Sequence, residues 1–268
     1  MSSNDKDFRA LHAGPDLLIL PNAWDAGSAR VIASAGAKAV ATSSAAVAWA
    51  RGYSDGQFLP FDKVIAVLTE IVHAVHVPVS ADIEAGYAHT AAEVGDTIAR
   101  VLDAGVVGIN IEDGIWPPQV LCDKIERAKA VAARAGVDLW VNARVDVYIR
   151  GLTSVGSAFD ETVHRAALYR SAGADSIFVP GLVDRTTIAE LVPAIRLPLN
   201  VLAKPGLPDA SQLQASGVRR LSAGAGIGKV ALNQTFILAR AFLEDGRAEA
   251  LSEMPQELTN LNDVMRRG

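Results

Sequence analysis

Short apolar runs alternate along the chain with longer stretches in which apolar residues recur at helical spacing. The runs are too short for helices and rich in β-branched residues, a pattern that predicts strands buried on both faces. The eight predicted strands are Leu17–Pro21, Ala39–Ser44, Val77–Ile83, Gly108–Asp113, Leu139–Arg144, Ser176–Pro180, Leu199–Ala203 and Arg219–Ala223. The predicted helices between them include Asp62–Val75, Thr90–Asp103, Asp123–Ala135, Asp160–Ala172 and Asp184–Ile195.

A glycine recurs at the end of the helical stretches, directly before an apolar run. The glycines concerned are Gly36, Gly105, Gly136, Gly173 and Gly217. Because glycine adopts positive φ at little cost, each of them is predicted to stop a helix in the left-handed conformation.

Strict alternation of strand and helix favours a parallel sheet in the α/β class. Eight successive units without a linker or low-complexity tract match one closed (β/α)8 TIM barrel, with 1–268 as a single domain. An open doubly wound sheet is the alternative. After the eighth strand, helical patterns at Ile227–Leu243 and Glu257–Arg267 predict extra C-terminal helices that pack on the barrel or on another subunit.

Composition narrows the classes of function. The chain has 268 residues, a formal net charge of −5 and one cysteine. A protein with this net negative charge does not attract phosphate backbones or anionic lipids, so we expect neither nucleic-acid nor membrane partners. The polar N-terminus lacks the apolar region of a signal peptide, and no apolar run is long enough to span a bilayer. A lone cysteine excludes an internal disulfide, and we expect a cytoplasmic protein.

Charged residues gather where the third, fourth and fifth strands end, the end of a barrel at which chemistry takes place. Asp82 and Glu84 end the third strand, Glu112 the fourth and Arg144 the fifth. Three carboxylates at one rim favour a bound cation, and oxygen ligands alone favour Mg²⁺ first and Mn²⁺ second. Arg144 suits a substrate carboxylate. The structural alternative is a network in which Arg144 pairs with Asp82 or Glu112.

Small and polar residues follow the first two strands. Trp24 lies just beyond the first strand, and Ser43, Ser44, Ala45 and Ala46 end the second. The small side chains leave backbone N–H groups at Ser44 open to an anion. These five residues are therefore candidate substrate contacts.

A long connection after the second strand carries glycines on either side of Tyr53–Asp55, which is typical of a mobile lid. Closure of such a lid excludes water and brings Asp55 to the site, whereas a solvated turn is the alternative. Tyr53, Asp55 and Tyr87 are candidate proton acceptors, with no ranking among them. Asn200, on the seventh strand, is a candidate contact for the distal group of the substrate.

Five segments together resemble the isocitrate lyase/phosphoenolpyruvate mutase superfamily over most of the chain. They are Leu20–Ala29, Thr42–Ala46, Val77–Tyr87, Gly108–Asp113 and Asn142–Arg144. The resemblance implies a (β/α)8 barrel that uses Mg²⁺ to bind 2-oxo acids and stabilise their enolates. It also implies a homo-oligomer, often a tetramer, in which a C-terminal helix, here within 244–268, is swapped between neighbours.

The resemblance also assigns roles to single residues. Asp82 is implied as the direct metal ligand, with Glu84 and Glu112 acting largely through water. The implied contacts to the substrate carboxylate are Ser44, Ala45 and Arg144, and Asp55 is similar to the gating-loop aspartate of the family.

The segment after the fourth strand departs from the family. Its carbon–carbon lyases carry a Lys-x-Cys-Gly-His motif there, whereas 114–123 has Cys122 without a following Gly-His pair. Cys122 falls where a helix begins, so we expect a buried, inert thiol. The lysine and asparagine of the phosphonate-processing branch are missing as well.

The residues and the resemblance together predict a Mg²⁺-dependent carbon–carbon lyase. Its expected substrate is a small 2-oxo or 2-hydroxy (di)carboxylate, cleaved at the bond to C3 through a metal-stabilised enolate, as in oxaloacetate decarboxylase or methylisocitrate lyase. Decarboxylation needs no acid to eject CO₂, so it tolerates the lost cysteine motif. The alternatives are a phosphoenolpyruvate/phosphonopyruvate mutase or hydrolase, and a non-catalytic 2-oxo-acid binding protein.

Overall fold

Parallel strands form the centre of the computed structural model, which describes residues 4–251 and 260–266. All eight predicted strands are confirmed, most of them a residue or two shorter than predicted. The nine observed strands, one more than predicted, are β1 (Leu18–Leu20), β2 (Asn22–Ala23), β3 (Val40–Thr42), β4 (Val79–Asp82), β5 (Gly108–Glu112), β6 (Trp140–Arg144), β7 (Ser176–Phe178), β8 (Leu199–Leu202) and β9 (Arg220–Ser222).

β1 and β2 are two halves of one strand interrupted at Pro21, which has no N–H to donate, and the second half lies beyond the predicted bounds Leu17–Pro21. The first half, β1, pairs with β9, and the second half, β2, pairs with β3. The two halves therefore join the two ends of the sheet, whose order is β1-β9-β8-β7-β6-β5-β4-β3-β2. This closure confirms the (β/α)8 barrel and rules out the open sheet.

Helices surround the strands in the predicted alternation. They are α1 (Asn4–Ala13), α2 (Ala26–Ser34), α3 (Ser44–Ala50), α4 (Phe61–Ala74), α5 (Ala91–Asp103), α6 (Pro118–Ala135), α7 (Val147–Arg150), α8 (Ala158–Ser171), α9 (Arg185–Ile195), α10 (Ala210–Ala215), α11 (Gly226–Asp245) and α12 (Leu261–Met265). Short 3₁₀ turns lie at Val155–Ser157 and Glu249–Leu251.

The predicted glycine stops are confirmed. Gly36, Gly105, Gly136, Gly173 and Gly217 have φ values of 94°, 89°, 71°, 103° and 87°.

The predicted helix at Asp123–Ala135 begins five residues earlier, at Pro118. Proline suits the first turn of a helix because its missing N–H has no helical partner there.

Helix α1 covers the N-terminal end of the barrel. Phe8 and His12 on α1 are buried against Trp140 of β6, and the His12 ring stacks on Trp140 with centroids 4.1 Å apart. Gly108 makes room for this contact, since a Cβ there would lie 2.5 Å from the Phe8 ring. The rim at the opposite end is therefore where a ligand can enter.

The C-terminal helices differ from the others in exposure. The exposed large apolar side chains of α11 are Ile227, Val230, Leu232, Phe236, Ile237, Phe242 and Leu243, and Gly228 is the helix's buried residue. The predicted helix at Glu257–Arg267 is present as α12, which Asn260 caps and Arg266 follows, while 257–259 and Arg267 lie outside the described residues. Within the described ranges, no helix has both the length and the apolar character needed to cross a membrane.

Candidate active site

A cavity of about 220 Å³ opens at the carboxyl ends of the strands. Its polar lining residues are Asn22, Ser43, Ser44, Asp55, Asp82, Asn110, Arg144 and Ser222. Its other lining residues are Ala45, Ile149, Phe178, Pro180, Leu202, Gly224 and Ala225. Most of these residues lie at or just beyond the end of a strand, where the sequence predicted the chemistry.

Asp82 is held at the end of β4 by the start of α3. Its Oδ2 accepts hydrogen bonds from the Ser44 backbone N–H at 3.1 Å and from the Ser44 hydroxyl at 2.9 Å. Ser43 caps α3 and brings Ser44 to this position. Both bonds use the same oxygen, so Oδ1 of Asp82 stays available to a ligand.

The turn after β4 has a strained backbone. Glu84 and Tyr87 adopt positive φ values of 52° and 48°, a conformation that side chains with a Cβ rarely take. The Tyr87 hydroxyl donates to Glu84 Oε1 at 2.8 Å. Burial, together with the negative charges of Asp82 and Asp55, raises the pKa of Glu84 to about 7, although the Tyr87 bond opposes this.

An ion-pair network joins the ends of β5 and β6. Arg144 Nη1 lies 2.6 Å from Glu112, and Arg144 Nε donates to Asp146 at 2.6 Å. Burial raises the pKa of Glu112 to about 8 despite the opposing charge of Arg144, and Asp146, Asp82 and Glu84 contribute to the rise. Of the five Arg144 N–H groups, these contacts and a 3.3 Å bond from Nη2 to Asp146 occupy at most three.

Two of the Arg144 N–H groups therefore remain for a substrate carboxylate. The pairing of Arg144 with Glu112 is one of the two that the structural alternative anticipated. It does not exclude substrate binding, because the guanidinium has donors left over.

Asp113 supports the network from behind and was missed in the sequence. Its buried carboxylate accepts from the Asp146 backbone N–H at 2.9 Å, from Arg165 at 2.9 Å and from the Tyr169 hydroxyl at 2.7 Å. Alternation along β5 places the Asp113 side chain on the opposite face from Glu112. This was the one feature of the sequence that could have indicated a separate, supporting role for Asp113. Its partners on α8 are distant in sequence and give no local pattern.

The donor set suits a hydrated divalent cation. Asp82, Glu84 and Glu112 supply carboxylate oxygens, and the two glutamates have raised pKa values because their charges are buried beside other negative charges. No group of three His, Cys, Asp or Glu side chains among the described residues converges tightly enough to hold a metal by itself. Direct ligation by Asp82, with Glu84 and Glu112 reaching the ion through water, stays a prediction.

Some of the other candidate residues line the cavity and some do not. Asp55, Ser43 and Ala45 line the cavity. The Tyr53 hydroxyl accepts from Lys63 on α4 at 2.7 Å, and Tyr53 does not line the cavity, because its ring packs on the core beside that helix. Asn200 is buried below the cavity, where its Oδ1 accepts from Ser222.

Trp24 and Ala46 lie behind the cavity wall rather than in it. A Cβ at Gly228 would come within 3.2 Å of the Trp24 ring and 2.9 Å of Ala46, so both residues pack against the first turn of α11. They support Ser43–Ala45 from behind. A direct contact of either residue with substrate stays a prediction.

Cys122 is buried within α6, as expected. Burial raises the pKa of its thiol, which keeps the sulfur protonated and unreactive.

Comparison with known proteins identifies the family to which the chain belongs. The family model described as phosphoenolpyruvate phosphomutase matches residues 8–243. An uncharacterized protein of Mycobacterium tuberculosis strain H37Rv is 36% identical over 220 residues, 81% of each chain. The oxaloacetate decarboxylase of Chromohalobacter salexigens is 29% identical over 221 residues, 80% of this chain and 76% of its own.

A solved structure agrees with this result. A Burkholderia cenocepacia J2315 protein, provisionally described as a phosphonomutase, is 39% identical with a TM-score of 0.85, covering 89% of this chain and 99% of its own. The matches span most of the chain, and they include the strands that carry Asp82, Glu112 and Arg144. The chain therefore belongs to the phosphoenolpyruvate phosphomutase family.

Proposed function

We propose that the protein is a Mg²⁺-dependent carbon–carbon lyase that binds a small 2-oxo or 2-hydroxy acid and cleaves the bond to C3. The observation that carries the proposal is that one cavity is lined by both the free Oδ1 of Asp82 and the spare N–H groups of Arg144. The first suits a hard cation and the second suits a carboxylate. The oxaloacetate decarboxylase relative supports the same reaction class.

The chain's own residues bind and orient the acid. Arg144 donates to the substrate carboxylate while Glu112 and Asp146 hold its guanidinium in place. The backbone N–H of Ala45, in the first turn of α3, has no helical partner and is a second donor at the cavity wall. Together they would fix one end of the substrate and so orient the bond at C3.

Asp82, Glu84 and Glu112 would hold the metal, Asp82 directly and the glutamates through water. Mg²⁺ held there, or Mn²⁺ in its place, would supply Lewis-acid stabilisation of the negative charge that develops on the substrate. Asp55 lies on the exposed connection over the cavity, where closure of that segment would exclude water.

The test of this function is turnover of a panel that includes oxaloacetate and 2-methylisocitrate, with and without a chelator. We expect Mg²⁺-dependent activity that Asp82→Ala lowers by at least about a hundredfold, because the direct ligand is lost. Asp103→Ala, which removes an exposed carboxylate at the end of α5, is the matched control and keeps full activity. Turnover that is unchanged by both the chelator and Asp82→Ala would contradict the proposal.

The second candidate function is cleavage or transfer at a phosphorus–carbon bond. The 39% identity to the Burkholderia protein favours it. Incubation with phosphonopyruvate, followed by ³¹P NMR, separates the two reactions, since a mutase yields a phosphate ester and a hydrolase yields inorganic phosphate. Tight ligand binding without turnover of any substrate would instead support a non-catalytic 2-oxo-acid binding protein.

The protein assembles into a homo-oligomer, a tetramer in this proposal, through α11. A groove of about 600 Å³ runs beside β1 and is lined by Leu11, Leu17, Ile19 and Ile32, with Ile227 at its edge. Ile19 is 58% exposed, although the outer face of a barrel strand is normally covered by a helix. We propose that the exposed apolar side chains of α11 from a second copy cover this groove, which moves the expected exchange of a helix between neighbours from 244–268 to α11.

We place this function in the cytoplasm. The buried, unpaired thiol of Cys122 suits a reducing compartment.

A further inference from the structure

A layer of polar side chains crosses the barrel interior at the bottom of the cavity. The interior of a (β/α)8 barrel is normally filled by branched apolar side chains, which need no hydrogen-bond partners. A polar layer in this place is costly unless its groups are paired, so unpaired groups within it indicate a role other than packing. The buried polar residues of this layer are Ser80 on β4, Asn110 on β5, Asn142 on β6, Ser176 on β7, Asn200 on β8 and Arg220 on β9.

Groups that can only donate hydrogen bonds fix the direction of the network in this layer. The Trp140 indole N–H donates to Ser176 Oγ at 2.8 Å, and the Ser176 hydroxyl donates to Asn142 Oδ1 at 2.7 Å. Asn142 therefore turns its Nδ2 toward Asn110, whose Oδ1 accepts at 2.8 Å. From the other side, Arg220 Nη2 donates to the same oxygen at 3.1 Å. Two donors thus hold the Asn110 oxygen on the buried side of the amide.

The amide nitrogen of Asn110 is left for the cavity. Asn110 lines the cavity, and its Nδ2 donates to no residue that the structure describes. Asn110 pairs in register with Asp82 on the neighbouring strand, and both side chains line the cavity from the inner face of the barrel. A substrate oxygen bound beside Asp82 is therefore next to an uncharged group with two N–H donors.

Arg220 is a fully buried cation behind this donor. Its side chain crosses the barrel from β9 to β5, which are four strands apart in the closed sheet when β1 and β2 count as one. Its Nε donates to Ser222 at 3.0 Å, whereas its Nη1 has no partner among the described residues. Both hydrogen bonds of Arg220 go to uncharged oxygens, and both acceptor residues line the cavity.

The charge of Arg220 is not balanced by a paired acid in the part of the chain that the structure describes. Burial lowers the pKa of Arg220 to about 9 against the opposing effect of Asp82, so the guanidinium stays protonated at neutral pH. A buried cation without a paired acid is costly, and an uncharged side chain would serve packing at a lower cost. Negative charge that develops in the cavity offsets this cost, whereas a neutral ligand does not.

We infer that Asn110 is a further catalytic residue, whose Nδ2 donates to the substrate oxygen on which negative charge develops, and that Arg220 is the positioning residue that holds Asn110 in this orientation. The inference rests on the proposed function, because the charge develops only if the bond at C3 is cleaved. In cleavage of oxaloacetate, the electron pair of the breaking bond forms a C2–C3 double bond, the C2 oxygen becomes negative, and the departing carboxylate leaves as CO₂. Asn110 stabilises that oxygen more strongly as its charge grows.

Two stable ligands measure this contact without turnover. Pyruvate and oxalate each combine a carboxylate with an oxygen on the neighbouring carbon, and this oxygen is neutral in pyruvate and ionised in oxalate. Isothermal titration of both ligands into the full-length protein with Mg²⁺ therefore compares the two charge states of the oxygen that Asn110 contacts. We expect Asn110→Leu, which has nearly the same size, to weaken oxalate binding by at least about tenfold more than pyruvate binding.

Ser176→Ala is the matched control. It breaks the same network at a residue that does not line the cavity, and Arg220 still holds the Asn110 amide. We expect it to change the affinities for oxalate and pyruvate by the same factor, because a loss of packing or pairing alone does not distinguish the two ligands.

A second variant at the same position separates catalysis from stability. Asn110→Asp keeps an acceptor for Arg220 and gives the buried cation a counterion, so we expect unfolding at a higher urea concentration than in the parent protein. The same change removes the N–H donors, so the preference for oxalate over pyruvate should fall by at least about tenfold. A purely structural role would move stability and ligand preference in the same direction. This variant also serves as the test if Asn110→Leu does not fold.

The role of Arg220 is tested by two further substitutions. Arg220→Met removes both the charge and the donor to Asn110, so it should lower the preference for oxalate over pyruvate. Arg220→Lys keeps the charge and should restore part of that preference. Equal preferences in the two variants would contradict the positioning role of Arg220.

The two ligands also separate this inference from the proposed function. If neither oxalate nor pyruvate binds in a Mg²⁺-dependent manner, the proposed function fails and the inference fails with it. If both ligands need Mg²⁺ but the Asn110 variants that fold weaken them by equal factors, the inference alone is overturned.

Discussion

At the scale of single residues, the site combines carboxylates that are costly to bury with contacts that hold them in place. Glu84 and Glu112 have raised pKa values because of burial among other negative charges. Asp82 is fixed by Ser44 through one oxygen, and Arg144 is fixed by two acids while keeping spare donors. The arrangement is therefore organised before any ligand binds, which lowers the cost of binding.

The sequence located the charged members of this site because they fall at or just beyond the ends of consecutive strands. The supporting contacts could not be read in the same way. Asp113 meets Arg165 and Tyr169 through packing of α8 on the barrel, and Tyr53 meets Lys63 through packing on α4. Such pairs depend on tertiary geometry, which local patterns do not encode.

The buried His12 side chain makes the free energy of unfolding depend on pH. Burial first, and then the charge of Arg220, lowers the pKa of His12 from 6.5 to about 3. Below pH 6.5 the His12 side chain therefore binds a proton in the unfolded chain but not in the folded protein. The free energy of unfolding consequently falls as the pH falls towards 3. The loss between pH 7 and pH 5 is about 2 kcal/mol.

Urea unfolding at pH 7 and pH 5 measures this loss. His12→Phe keeps the stacking on Trp140 and removes the titrating group, so we expect it to reduce the difference between the two pH values. His73→Phe, which replaces an exposed histidine at the end of α4, is the control and leaves the difference unchanged. An equal pH response in all three proteins would assign the acid sensitivity to other groups.

At the scale of elements, the strands and the helix ends follow local chemistry closely. The Thr90 and Glu93 capping box begins α5, and the predicted glycines end their helices. The start of α6 and the split of the first strand were predicted less well, although both have a proline as the cause. In each case the proline matters because it has no N–H group to pair with neighbouring backbone. The pattern of apolar residues alone does not show this effect.

The contact between α1 and β5 leads to a prediction about packing. Gly108→Ala would place a Cβ 2.5 Å from the Phe8 ring, so α1 must shift. We expect a loss of about 1–3 kcal/mol in the free energy of unfolding. Gly156→Ala, where a Cβ meets nothing within 4 Å, is the control and should change stability by less than about 0.5 kcal/mol.

Chemical denaturation of the two alanine variants measures this difference. A second change, Phe8→Leu, should restore part of the stability lost in Gly108→Ala, because it removes the ring atoms that the new Cβ meets. Equal effects of Gly108→Ala and Gly156→Ala would mean that α1 is not packed on β5 as described.

At the scale of the whole molecule, the barrel is complete in its strands but not in its covering helices. The groove beside β1 and the apolar face of α11 are both exposed in one chain, and each has the chemistry to cover the other in a second chain. Phe236→Asp and Ile19→Asp should each shift the oligomer to smaller species in light scattering, because each buries a charge at the proposed contact.

Asn233→Asp is the matched control, since it adds the same charge to α11 without removing an apolar side chain. It should leave the mass unchanged. A parent protein that is monomeric at micromolar concentration would contradict the proposed assembly.

The interruption of the first strand at Pro21 affects the order in which the strands can pair during synthesis of the chain. β2 can pair with β3 as soon as both have left the ribosome, and each later strand adds to this growing sheet in order. β1 must instead wait for β9, whose Arg220 pairs with Leu18 about two hundred residues earlier in the chain. The barrel therefore closes last, and until synthesis reaches β9 the nascent chain carries two open sheet edges that are prone to aggregation.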